Sequence, residues 1–219
     1  MATTVRIVGD AQRLRIVAGS PDVQIDGTAS VHRDPDAGIV TVTSPRSGLL
    51  VNVPVGTDLV IGSESGRIAT VGDLGRVSIT SASGRVEVDR ASSVDVRTES
   101  SRVTVGAVAE VCRVRSRSGR VVIASCGLAD VSTRSGRIEL RHVTGDVVAH
   151  SVSGRVEIVL AGPHDVRAET VSGRIEISVP PGTRTLQPDP DDPAPAADDA
   201  ECCVVRATST SGRVVVRPT

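Results

Sequence analysis

Among its 219 residues the chain has no phenylalanine, tyrosine or tryptophan. A core must therefore be built from Val, Ile, Leu and Ala, and no ring is available to stack on a base or a sugar. That removes the commonest platforms for single-stranded nucleic acid and carbohydrate. Lysine is missing as well: the 25 basic residues are all arginine and face 26 acids, for a formal net charge of −1. This balance gives no overall pull toward nucleic acid or anionic membrane, so no specific nucleic-acid role is expected and any electrostatic partner must be recognised locally. Asn52 is the sole asparagine, and with the loss of Lys and Phe this has the look of a GC-rich bacterial genome.

Other absences narrow the class further. No apolar run approaches the length that spans a bilayer, and the start, MATTVRIVGDAQRLRIVAG, has no charged region followed by an apolar one. A cytoplasmic protein without a membrane span is the expectation. The cysteines, Cys112, Cys126, Cys202 and Cys203, do not form paired C-x-x-C units, so reduced thiols are expected and no metal site. His32, His142, His150 and His164 fit no triad or metal spacing. No cofactor is implied, and without aromatic subsites or a distinct carboxylate cluster an enzyme is not expected.

What is present is a repeat. Arginines recur at Arg67, Arg85, Arg102, Arg120, Arg137, Arg155, Arg174 and Arg213, in steps of 18, 17, 18, 17, 18, 19 and 39. The last step contains LQPDPDDPAPAADDAECC and reads as one repeat carrying an inserted loop. Two residues before each Arg stands a serine, and four before it a Ser or Thr: Ser63, Ser81, Thr98, Ser116, Thr133, Ser151, Thr170, Ser209. Positions six and eight before it are mostly apolar, as in Val94 and Val96, so one strand reads inward at period two up to the serine.

After the glycine the phase flips. The residue following Arg is always Ile or Val, and the third one after it is mostly aliphatic, as in Leu140 and Ile158. A one-residue slip would exchange core and solvent faces unless the backbone bends there, and glycine permits the dihedrals of a bend. The expected corners are Ser83 and Gly84, Ser118 and Gly119, Ser135 and Gly136, Ser153 and Gly154, and Ser172 and Gly173. Each corner serine is expected to point inward and bond backbone groups that the bend leaves unpaired. Ser101 replaces the glycine before Arg102, so that corner is expected to be strained or differently turned.

Stacked units would place equivalent residues about 4.8 Å apart, in ladders. A bare Arg ladder repels itself, but Glu87, Glu139, Glu157 and Glu176 lie two beyond the Arg on the same outer face. An aliphatic every six positions, the rule of the hexapeptide left-handed helix, fails at Thr144 and His150. The expected fold is all-β: a single-chain parallel β-solenoid, β-helix-like, of 17–19-residue Ser-Gly-Arg repeats over 59–219. Residues 1–58 lack the code and are expected to form an irregular N-terminal β cap. Residues 186–203, rich in Pro and Asp, are expected to be a flexible acidic loop.

The succession LLVNVPVGTDLVIGSESGRIATVGDLGRVSITSASGRVEV, with linkers such as His142-Val143-Thr144-Gly145-Asp146-Val147, resembles the bacterial DUF4097 family of adhesin-like β-strand repeat proteins. The resemblance extends over about residues 14–219, and its motifs set the fold rather than carry catalysis. It implies a parallel β-solenoid with an adhesin or envelope-related role.

Among candidate binding residues, Arg97, Arg113, Arg115, Arg117 and Arg134 fall on outward positions of adjacent repeats and would form a basic patch for an acidic polymer or protein. Asp95, Glu99 and Asp130 lie beside them and would balance a merely solvated face. The expected function is a non-catalytic binding or scaffold module, with a self-assembling protein like the bactofilins as the alternative. Monomer and end-to-end association both remain open.

Overall fold

The computed structural model describes residues 3–10, 12–44, 48–181, 184–186 and 202–218. The expected loop at 186–203 lies, apart from its ends, outside the described residues. The strands are β1 (Thr4–Gly9), β2 (Arg13–Ala18), β3 (Gln24–Asp26), β4 (Ser30–Asp34), β5 (Ile39–Ser44), β6 (Gly48–Val53), β7 (Asp58–Ser63), β8 (Arg67–Val143), β9 (Val147–Leu160), β10 (Val166–Val179), β11 (Arg184–Leu186) and β12 (Cys202–Pro218). Among the described residues there is no helix. The strands make one curled, open half-barrel sheet of 12 strands.

Sequence spacing sets the pairing. Strand β9 lies parallel between β8 and β10, so that Ser135, Ser153 and Ser172 are neighbours, as are Arg137, Arg155 and Arg174. Strand β12 continues the series, with Arg213 opposite Arg174. The 39-residue step therefore brings β12 directly against β10, while β11 pairs with the first residues of β12, Arg184 opposite Cys202.

The inner face carries one continuous aliphatic core. Val94 and Val96 before the corner, and Val103 and Val105 after it, are all buried, as the phase flip requires. Cys112 and Cys126 occupy inward positions too. Burying a Val or Ile side chain contributes roughly 1.5–3 kcal/mol, so a core without rings is built from many equal small terms rather than a few large ones.

The corners differ from expectation in one respect. Gly84, Gly119, Gly136 and Gly154 have φ of 119°, 134°, 146° and 155°, whereas Gly173 takes no positive φ. The serine before the glycine does not point into the core: Ser83 and Ser172 are exposed, and Ser118, Ser135 and Ser153 are half-buried. The bend starts earlier than period two suggests. It is the hydroxyl four before the Arg that is inward, and at some corners it serves the bend, with Ser81 Oγ donating to the Ser83 carbonyl (3.1 Å) and Ser116 Oγ to that of Ser118 (3.0 Å). Ser151 Oγ and Thr170 Oγ1, by contrast, are buried without a hydrogen-bond partner among the described residues. At the exceptional corner Ser101 is buried, takes no positive φ, and its hydroxyl has no hydrogen-bond partner among the described residues. That corner is differently turned.

Residues 1–58 are not simply an irregular cap. Strands β1 and β2 run parallel to β7 and β8, with Thr4 opposite Asp58 and Arg13 opposite Arg67. On their other side lie β5 and β6, also parallel, with Thr4 opposite Ile39 and Arg13 opposite Gly48. Among the described residues only β3 and β4 pair antiparallel, with β6 and β5. The alternation that buries Val5, Ile7, Leu14 and Ile16 is local, but the order in which strands stack is not.

Candidate functional site

The outer face of the segment that leads into each corner carries the basic patch. Extended backbone sends alternate residues outward, so Arg113, Arg115 and Arg117 project on one side while Cys112, Val114 and Ser116 are buried on the other. Arg97, Arg115 and Arg117 come together around an open groove of about 400 Å³, whose lining includes Glu99, Ser81 and Ser132.

The five arginines are not equivalent. Arg97 Nη2 pairs with Asp95 Oδ2 at 3.0 Å, within its own strand segment. Arg113 Nε donates to Asp130 Oδ2 at 3.0 Å, across to the next segment. Among the described residues no carboxylate pairs with Arg115, Arg117 or Arg134, all three of which are exposed. Two of the five guanidinium groups are thus already neutralised and three are open to an outside anion.

Around the corner the arginine ladder follows the same pattern. Glu87 takes Arg67 at 2.7 Å and Arg85 at 3.7 Å, Glu157 takes Arg155 at 3.1 Å, and Glu176 takes Arg174 at 3.5 Å. Glu139 accepts from Arg120 (2.6 Å) and Arg141 (2.8 Å), and the hydrogen bond from Arg120, aided by Arg141, holds its carboxyl below the usual carboxylate range. Arg102 and Arg137 have no such partner among the described residues. Each exposed pair contributes only about 0–1 kcal/mol, but pairing decides which arginines remain available. Sequence reading placed Arg102 and Arg137 in the ladder but missed that they stand without such a carboxylate partner. The signal was there for Arg102, since Thr104 stands where Glu87 and Glu139 stand in other units.

Ser100 and Ser118 hydroxyls lie 2.8 Å apart at the edge of this ridge. Beyond it, His150 Nδ1 is 3.6 Å from Glu169 Oε2, and Glu169 also accepts from Arg167 at 2.8 Å. The Arg167 hydrogen bond, with His150 adding to it, lowers the Glu169 carboxyl.

The thiols of Cys112 and Cys126 are free and buried. Burial pushes Cys126 up to about 11 and Cys112 higher still, with the neighbouring Cys126 adding to the effect on Cys112. Both are protonated and poor nucleophiles at neutral pH. The side chains of Cys202 and Cys203 lie outside the described residues. Among the described residues no three His, Cys, Asp or Glu side chains are placed to hold a metal ion, and no helix is long and apolar enough to cross a membrane.

A family model described as Toastrack DUF4097 matches residues 29–187, more than half of the chain. No curated protein and no solved structure matches it.

Proposed function

The chain belongs to the Toastrack DUF4097 family, and from that premise we propose that it is a non-catalytic binding or scaffold module of the adhesin type. Its sheet is read as a parallel β-solenoid, a reading supported by the in-register neighbours Gly136, Gly154 and Gly173. The working surface is the outer face bearing Arg115, Arg117 and Arg134, which engages an acidic protein segment or polymer. One observation carries this: among the described residues these three arginines lack the carboxylate partner that Arg97 and Arg113 have beside them. Arginine forks on strands about 4.8 Å apart can grip one polyanion together.

The test is fluorescence anisotropy of labelled poly-glutamate with wild type and an Arg115→Ser, Arg117→Ser, Arg134→Ser variant, at about 20 mM and about 200 mM salt. Binding by wild type at the lower salt, sharp weakening at the higher, and loss in the variant with unchanged circular dichroism are expected. Equal behaviour of the two proteins at both salts overturns the assignment.

End-to-end self-assembly is the second reading, and β12 favours it, because among the described residues its outer edge is paired only at 202–204. The opposite end argues against it. There the antiparallel β4, short and bearing His32, Arg33 and Asp34, blunts the edge against further pairing.

A further inference from the structure

The ridge of open arginines does not stand alone on its face. Continuing across the sheet, the positions in line with Arg117 and Arg134 are Val152 and Val171, placed by the register pairs Thr133–Ser151 and Ser135–Ser153, then Ser151–Thr170 and Ser153–Ser172. Val152 is 38% and Val171 47% exposed, and Val148, opposite Asp130 and Arg167, is 45% exposed. One face therefore carries positive charge at one end and a patch of aliphatic side chains at the other. Beside the valines Glu169 is held by Arg167 and His150, so Arg167 is already paired there and the open positive charge lies at the other end of the surface.

We propose that this face binds an extended protein segment in which acidic residues are followed within a few positions by aliphatic ones, the carboxylates meeting Arg115, Arg117 and Arg134 and the aliphatics covering Val152 and Val171. This rests on the anionic reading above and names its partner. Three strand-to-strand steps separate Arg117 from Val171 by about 14 Å, the span of some four or five extended residues. A uniform polyanion satisfies only the arginine half. A membrane surface is a poorer fit, because interfacial binding is anchored by aromatic rings seated among the headgroups, and the chain has no Trp, Tyr or Phe to insert.

The experiment compares two labelled peptides, one with the run Glu-Glu-Ser-Val-Val and one with Glu-Glu-Ser-Ser-Ser, on wild type, on Val152→Thr with Val171→Thr, and on the triple arginine variant. Threonine keeps the strand propensity and shape, so the valine variant folds, and its melting temperature verifies that. Wild type should prefer the valine peptide by about five- to tenfold, the effect of covering part of two valines, and the valine variant should bind both peptides as wild type binds the serine one. No preference in wild type, or an undiminished preference in the valine variant, overturns this proposal and leaves the anionic surface intact. Undiminished binding by the arginine variant overturns the anionic surface itself. Valine-dependent binding to phosphatidylglycerol vesicles without peptide preference overturns it in favour of a lipid surface.

Discussion

A methyl group on the Cα of Gly154 would run into the carbonyl oxygen of Gly136, and its φ of 155° is a conformation that side-chain-bearing residues rarely adopt. The obstacle is backbone of the neighbouring strand, which cannot swing aside as a flexible side chain would. Gly154→Ala should therefore destabilise by about 2–4 kcal/mol, since strain and overpacking act together. Gly62, in β7, has no left-handed φ, and a methyl group there would meet nothing within 4 Å. At that position the same change should be neutral or slightly stabilising, because alanine restricts the unfolded chain. Thermal melts of the two variants check this, and a Gly154→Ala protein that melts with wild type would show that the corner tolerates a side chain.

At the scale of the strand, the linker aspartates have a role that spacing alone did not reveal. Asp146 Oδ1 accepts from the backbone N–H of Asp165 (3.1 Å), Asp165 Oδ1 from that of Val204 (2.9 Å), and Asp58 Oδ1 from that of Arg76 (2.7 Å). Each carboxylate ties the start of one strand segment to the start of the next. The Asp165 bond matters most, since it docks β12 after the long step from β10. Asp165→Ala should speed amide exchange at Val204, whereas Asp165→Asn, which keeps an acceptor oxygen, should largely preserve protection. Equal protection in wild type and Asp165→Ala would mean that β12 is held by its ladder to β10 alone.

Strand segments were also where the sequence was most and least informative. The inward columns were legible because Val94, Val96, Val103 and Val105 follow period two on each side of the corner, and the Arg–Glu columns because like residues recur at fixed offsets. The inward serine was misread, since period two was carried one position past the point where Ser81 and Ser116 already turn the chain. The neutralisation of Arg113 by Asp130 was legible in part, because the 17-residue step sets the two in one column and Asp130 was named as a balancing charge, but the sequence does not say which arginine each carboxylate takes. The insertion of β1 and β2 between β5, β6 and β7, β8 was out of reach: alternation reports a strand's faces, never its neighbours.

Over the whole molecule, the missing residue types turn the alkaline limb of stability into a report on the core. With no Tyr and no Lys in the chain, the groups that ionise between the terminal amine, near pH 8, and arginine, above about 12, are the thiols. In the unfolded chain a thiol titrates near 9.0, whereas burial raises Cys126 to about 11 and Cys112 further. Above pH 9 the unfolded state therefore releases protons that the folded state keeps. The stabilisation is complete below pH 9 and is lost as the pH rises through the folded values, at up to about 1.4 kcal/mol per pH unit for each buried thiol. The melting temperature should hold steady to about pH 9 and then fall toward pH 11. Cys202→Ser with Cys203→Ser should retain that fall, and Cys112→Ala with Cys126→Ala should flatten it from a lower starting point. A wild-type melting temperature that stays level from pH 9 to 11 would show that water reaches the two thiols and that the aliphatic interior is open around them.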